Sequence, residues 1–325
     1  MKRMLSALTG VALSFAAATS ALAQIGPGKT MTLMVPYPAG GLSDAIARHL
    51  APALAKELGQ TVNVENLGGA SGGIAAQKLL NTANDGRMIF QGSPNELILS
   101  PLVNADIKFK PEQFRHVTQI TQNPLMVVVR PDHPAKTVDE FVAYLKKADK
   151  PVPYGSVGVG SLYHVLTEDL AKQVGAKVVH VPYKGAGPML QDLASGQVDF
   201  TIFPYATSYK GLQESKKLRM LAWISKEPNA FVPDVPSFGQ SKSLPNFAHD
   251  IWAGIFVRKD TPEDVVAKIN AAMANIMKLP ELRTAIGNTG SIVVDTTSTG
   301  VADKYFAAET AKLDAMTKSM EFKAQ

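Results

Sequence analysis

The chain repeats one pattern. A short apolar run is followed by a glycine-rich break, then by a stretch in which apolar residues recur every three or four positions. Residues 32–35 are mostly apolar and predict a strand, and 36–41 (PYPAGG) break it. From Ser43 onward, Ile46, Leu50, Leu54 and Leu58 fall on one face of a helix. Ser43 suits the cap of that helix, Asp44 its first turn, and Gly59 its end. The unit then recurs, with a strand at 62–64, a loop at 66–73 (NLGGASGG) and a helix opening over 74–80. Asn84-Asp85-Gly86 makes a turn into a strand at 88–90.

Beyond Pro124 the pattern starts again. Residues 125–129 form a fully apolar strand, a helix covers 138–147, and 152–154 lead into the glycine loop 155–161. Leu162, Val165, Leu166, Leu170 and Val174 mark the apolar side of the next helix. A strand at 177–182 runs into Tyr183-Lys184-Gly185-Ala186-Gly187, and Pro188 fits a first helical position. Strands follow at 200–203 and 220–224, and 251–257 is apolar enough to cross back. The tail is helical, with Val265, Ile269, Ala272 and Ile276 on one side and a last amphipathic helix over about 301–320. Alternating strands and helices imply βαβ units, mainly parallel sheets and two α/β domains of related build. The final helices lack a sheet of their own. They are therefore expected to return to the first domain, giving 24–124 plus 252–325 against 125–251, with crossings near Leu125 and Ile251.

Composition sets the outer limits. The 325 residues are 46% hydrophobic and 19% charged, which supports a buried core and argues against disorder or coiled coil. With no cysteine, a disulfide scaffold, a zinc–thiolate site and a cysteine nucleophile are excluded. The formal charge of +5 carries no basic run longer than Lys146-Lys147 or Lys216-Lys217, a weak signal for nucleic acid. The first 23 residues read as an export signal. Lys2-Arg3 precede an apolar run, and Ala21-Leu22-Ala23 places cleavage before Gln24. A periplasmic, monomeric protein is the expectation.

The chemistry is expected where strands end. Ligands of open α/β sheets sit beyond the carboxyl ends of the strands. Four such ends carry glycine loops, at 38–41, 68–73, 155–161 and 185–187, each followed by a helix. A helix start presents unpaired N–H groups and about half a positive charge. Four of them converging between two domains would hold an anion such as a carboxylate on backbone alone. Hydroxyls at Ser71, Ser93, Ser156 and Ser161 would complete its hydrogen bonding. More distal contacts are expected from 93–97, including Asn95, and from 203–208, including Tyr205.

Rival chemistries have weaker support. Gly28-Lys29-Thr30 lacks the upstream glycine of a P-loop, and Gly155-x-x-Gly158-x-Gly160 lacks dinucleotide spacing. The six histidines show no metal-ligand spacing, so neither cofactor nor metal is expected. Ser161 and His164 would suit a hydrolase, yet no GxSxG elbow surrounds them.

Six motifs together resemble the TctC or Bug receptors of tripartite tricarboxylate transporters. They are VPYPAGGLSDAIAR at 35–48, VENLGGASGG at 64–73, NDG at 84–86, YGSVGVGSLYH at 154–164, VPYKGAGPMLQDLASGQVD at 181–199 and WAGIFVRKDTPEDVVAKIN at 252–270. The resemblance spans nearly the whole chain after residue 23. It implies a two-lobed Venus-flytrap fold of the second periplasmic-binding type, a small organic carboxylate as ligand and membrane permease subunits as partners. A receptor feeding a sensor kinase would need the same closure. On the same basis Tyr37, Pro38, Ala39, Gly40 and Gly41 would line one side of the ligand, beside Gly69, Ala70, Ser71 and Gly72. Ser156, Gly160, Ser161 and His164 would close from the second lobe, with Asp199 near the hinge. The chain departs from the family pattern at Asn84, at Ser71 (commonly glycine) and at Gln240, where a Glu-Gly pair usually lies nearby.

Overall fold

A computed structural model of the protein describes residues 28–319, so the export signal lies outside the described residues. Strand β1 (Thr30–Val35) leads to helix α1 (Leu42–Leu58), β2 (Thr61–Asn66), α2 (Gly73–Leu80) and β3 (Met88–Gly92). A π-helical turn, Asn95–Leu99, runs into the short α3 (Ser100–Val103). Then come β4 (Phe114–Val129), α4 (Val138–Lys147), β5 (Val152–Ser156), α5 (Leu162–Val174), β6 (Val178–Pro182) and α6 (Ala186–Ser195). The chain ends with β7 (Phe200–Pro204), α7 (Ser208–Glu214), β8 (Arg219–Trp223), β9 (Asp250–Arg258), α8 (Glu263–Ile276), α9 (Pro280–Gly287), β10 (Ile292–Val293) and α10 (Thr299–Ser319).

The glycine punctuation behaves as its chemistry requires. Gly59, Gly175 and Gly196 end α1, α5 and α6 in the left-handed conformation. Ile46, Leu50, Leu54 and Leu58 of α1 are buried together with Val265, Ile269 and Ile276 of α8, so the C-terminal helices return to the first lobe.

The strands divide at β4. From Phe114 to Pro124 it pairs antiparallel with β9; from Leu125 to Val129 it pairs with β7 and β8. One continuous strand therefore belongs to both lobes. The chain crosses back where the His249 N–H bonds the carbonyl of Ile224, just before β9. The βαβ units give the expected parallel pairs, β1 with β2 and β3, and β5 with β6 and β7. Each sheet is nonetheless mixed, because the crossing strands β4 and β9 pair antiparallel. Most of the first half of β4 carries no simple alternation. Register shifts at His116/Thr118 and Gln119/Thr121 put the side-chain period out of step.

Candidate functional site

A cavity of about 330 Å3 lies between the lobes. Its near wall is the loop Tyr37–Gly41 and the start of α1. Its far wall is Gly185–Pro188 and the start of α6. The two walls touch, because a Cβ on Gly185 would lie 3.1 Å from the Pro38 ring. Neither helix has a side chain capping its first turn. Asp44 instead reaches back to accept from the Gly40 N–H (2.8 Å), fixing the loop. Burial raises the Asp44 carboxyl, but hydrogen bonds from Arg48 and Gly40 outweigh that and hold it below the usual range. Two uncapped helix starts thus meet at one end of the cavity, where they offer N–H groups and the positive ends of two dipoles.

The rest of the wall is mostly apolar, with Val157, Leu190, Phe203, Tyr209, Ile251 and Trp252. Among the described residues, no Lys, Arg, His, Asp or Glu lines it. Two amides do. Gln91, at the end of β3, is 2% exposed, and neither of its amide atoms finds a partner in the protein. Asn123, where β4 crosses, is 5% exposed and leaves Oδ1 unpartnered.

The other two glycine loops face each other, and of them only Val157 reaches the cavity. Ser71 Oγ donates to the Val159 carbonyl across the lobes at 2.6 Å. Gly158 (φ +133°) comes so close that a Cβ there would lie 2.6 Å from Ser71 Oγ; one on Gly160 would lie 2.5 Å from Val103 Cγ2. The start of α5 is also occupied. Ser161 Oγ accepts from the His164 N–H (3.3 Å), and Asn95 Oδ1 accepts from the Leu162 N–H (2.7 Å). Asn95 in turn donates to the Tyr37 hydroxyl (2.9 Å), which donates to Glu96 (3.0 Å). Glu96 is fully buried. Burial pushes its carboxyl up to about 8, against the hydrogen bonds from Ser93 and Tyr37.

Of the residues expected from sequence, Tyr37, Pro38, Ala39, Gly40, Gly41, Ser93 and Asn95 line the cavity. Gly69, Ala70, Ser71 and Gly72 do not; they form a tight left-handed turn packed on the second lobe and α3. Ser156, Gly160, Ser161 and His164 lie beneath it in a closed cluster. Ser161 Oγ donates to Ser156 Oγ, Ser156 Oγ contacts His180 Nε2 (2.7 Å), and His164 stacks on His180 at 3.9 Å. His164 Nδ1 accepts from the Gly160 N–H and so does not serve as a base toward Ser161. Asp199 is displaced as well. It precedes the amino end of β7, whereas the cavity lies at the carboxyl end, and it pairs with Arg130 at 3.0 Å. Tyr205 turns its ring onto Trp223 and Phe231, and Tyr209 takes the place at the wall. Sequence reasoning passed over Gln91 and Asn123. Their signal is a lone amide at the carboxyl end of an apolar strand (Ile89-Phe90-Gln91) and one entering another (Asn123-Pro124-Leu125).

Two α/β lobes joined by crossing strands around a ligand-sized cavity are the type II periplasmic-binding architecture. The chain belongs to the tripartite tricarboxylate transporter receptor family, whose sequence model matches residues 46–321. It is 30% identical to protein BugT of Bordetella pertussis over 246 residues, 75% of each chain. It superposes on MatC of Rhodopseudomonas palustris with bound malate at a TM-score of 0.82 and 28% identity, over 89% of this chain and 99% of that one. The R. palustris protein Rpa4515 with adipate superposes at 0.84 and 27% identity, over 91% and 98%. Among the described residues no helix is long and apolar enough to cross a membrane.

Proposed function

We propose that the protein is an exported receptor that closes on one small carboxylic acid and presents it to the membrane subunits of a tripartite transporter. One observation carries the reading. Two uncapped helix starts meet on a cavity whose wall, among the described residues, holds no ionisable side chain apart from tyrosines. In that setting a carboxylate is held by N–H donors and helix dipoles, with no cation required. The bound malate and adipate of the two R. palustris relatives are small carboxylic acids of this kind. Closure would pivot on the two crossings, at Pro124/Leu125 and beside His249. Export would follow from the first 23 residues.

The test is thermal unfolding of residues 24–325 with a panel of organic acids and their methyl esters. A true ligand at a hundred times its Kd stabilises by about 2.7 kcal/mol. Stabilisation by an acid and not by its ester is the expected result. Folded protein that no acid stabilises would remove the reading.

A further inference from the structure

The carboxylate accounts for only one end of the cavity. At the wall supplied by β3 and β4 sit the two amides, Gln91 and Asn123, each more than nine-tenths buried and each with amide atoms the protein leaves unpaired. Burying such atoms without partners is costly, and a leucine or methionine would fill the position of Gln91 without that cost. The atoms left over include a donor, Gln91 Nε2, and two acceptors, Gln91 Oε1 and Asn123 Oδ1. Among the described residues no cation lines this cavity.

We infer that Gln91 and Asn123 set specificity by recognising a neutral donor–acceptor group, a carboxamide or a hydroxyl, on the ligand end remote from its carboxylate. A second carboxylate accepts only. It would satisfy Gln91 Nε2, leave the two amide oxygens facing negative charge, and meet no compensating cation. A methyl end would satisfy none of them. The preferred ligand is therefore a monocarboxylate with an apolar middle and a neutral polar tail, even though the two relatives above hold diacids. The inference rests on the proposed carboxylate function.

The experiment is calorimetry at pH 7 with straight-chain acids of four to eight carbons, each with carboxamide, carboxylate or methyl at the far end. At the best-fitting length the monoamide should bind at least tenfold tighter than the diacid and the alkanoate. Gln91→Leu should cut the amide-to-alkanoate ratio at least tenfold. If that variant melts early, Gln91→Met gives the same reading with an unbranched chain. Diacid binding as tight as monoamide binding, or a ratio unmoved by either variant, overturns the inference and leaves the carboxylate function standing. No binding by any member of the series removes both.

Discussion

Four glycine loops end strands in this protein, and they have gone two separate ways. The loops before α1 and α6 leave their helix starts without side-chain caps and line the cavity. Those before α2 and α5 are turned on each other. Ser71 bonds Val159, Ser161 caps its own helix, and Asn95 takes the Leu162 N–H. The difference is one of who receives the donors. An open helix start is a site for an anion, whereas a capped one is already neutralised by its own chain. On the proposed function the first pair receives the ligand and the second holds the lobes together.

The largest effect should come from removing one donor at an open start. Leu42 is the first residue of α1, where proline is tolerated, and Gly41 before it is extended (φ −85°, ψ 175°), as a residue preceding proline must be. Leu42→Pro deletes that N–H. Hydrogen bonds to charged groups contribute about 1.5–3 kcal/mol, so carboxylate affinity should fall about 10- to 100-fold by calorimetry. Unchanged affinity would place the anion elsewhere.

A wedge in the other pair should act without touching the cavity wall. Gly158→Ala puts a methyl 2.6 Å from Ser71 Oγ at a φ of +133°, which L side chains rarely adopt. The loops must part, and affinity should drop about tenfold because closure is resisted. Small-angle scattering should show that saturating ligand compacts the wild type more than the variant. Equal compaction would mean that the two loops take no part in closure.

The network behind Tyr37 predicts how stability changes with pH. Glu96 has its carboxyl raised to about 8 by burial, so its contribution is complete below the unfolded carboxyl's ordinary value and is lost as pH rises through 8. His116, His133 and His180 are lowered by burial to about 4, so their contribution is present above the ordinary histidine value and is lost as pH falls through 4. Stability measured by denaturant unfolding should therefore peak between about pH 6 and 7. Glu96→Gln should flatten the alkaline side; an unchanged alkaline slope would show that Glu96 does not carry it.

Much of this was readable from the residues, and the failures share a cause. The strands and helices followed from apolar periodicity, and a resemblance in six motifs gave the family. Glycine richness marks where backbone must come close to something; it does not say whether that is a ligand or another loop. Gly160 therefore read as a ligand contact when its close neighbour is Val103. Asp199 and Tyr205 were misplaced because strand direction and side-chain facing were needed to separate the two ends of β7. Gln91 and Asn123 went unnoticed because a lone amide looks ordinary until its lack of partners is visible.

The smallest effect is the sharpest test of the comparison. Ser71 adopts a left-handed backbone (φ 52°, ψ 32°) that favours glycine. Ser71→Gly relieves that strain, of about 1 kcal/mol, but frees the unfolded chain by a similar amount. The melting temperature of the unliganded protein should therefore move by no more than about 3 °C. The same change deletes the hydroxyl that bonds Val159 across the lobes, a neutral hydrogen bond that contributes about 0.5–1.5 kcal/mol. Ligand affinity should fall about two- to tenfold. A loop that met ligand directly would change which acids bind; one that only holds the lobes together weakens every acid by the same factor. The ratio of affinities across an acid panel, wild type against variant, separates these outcomes, and a uniform ratio is the expected one.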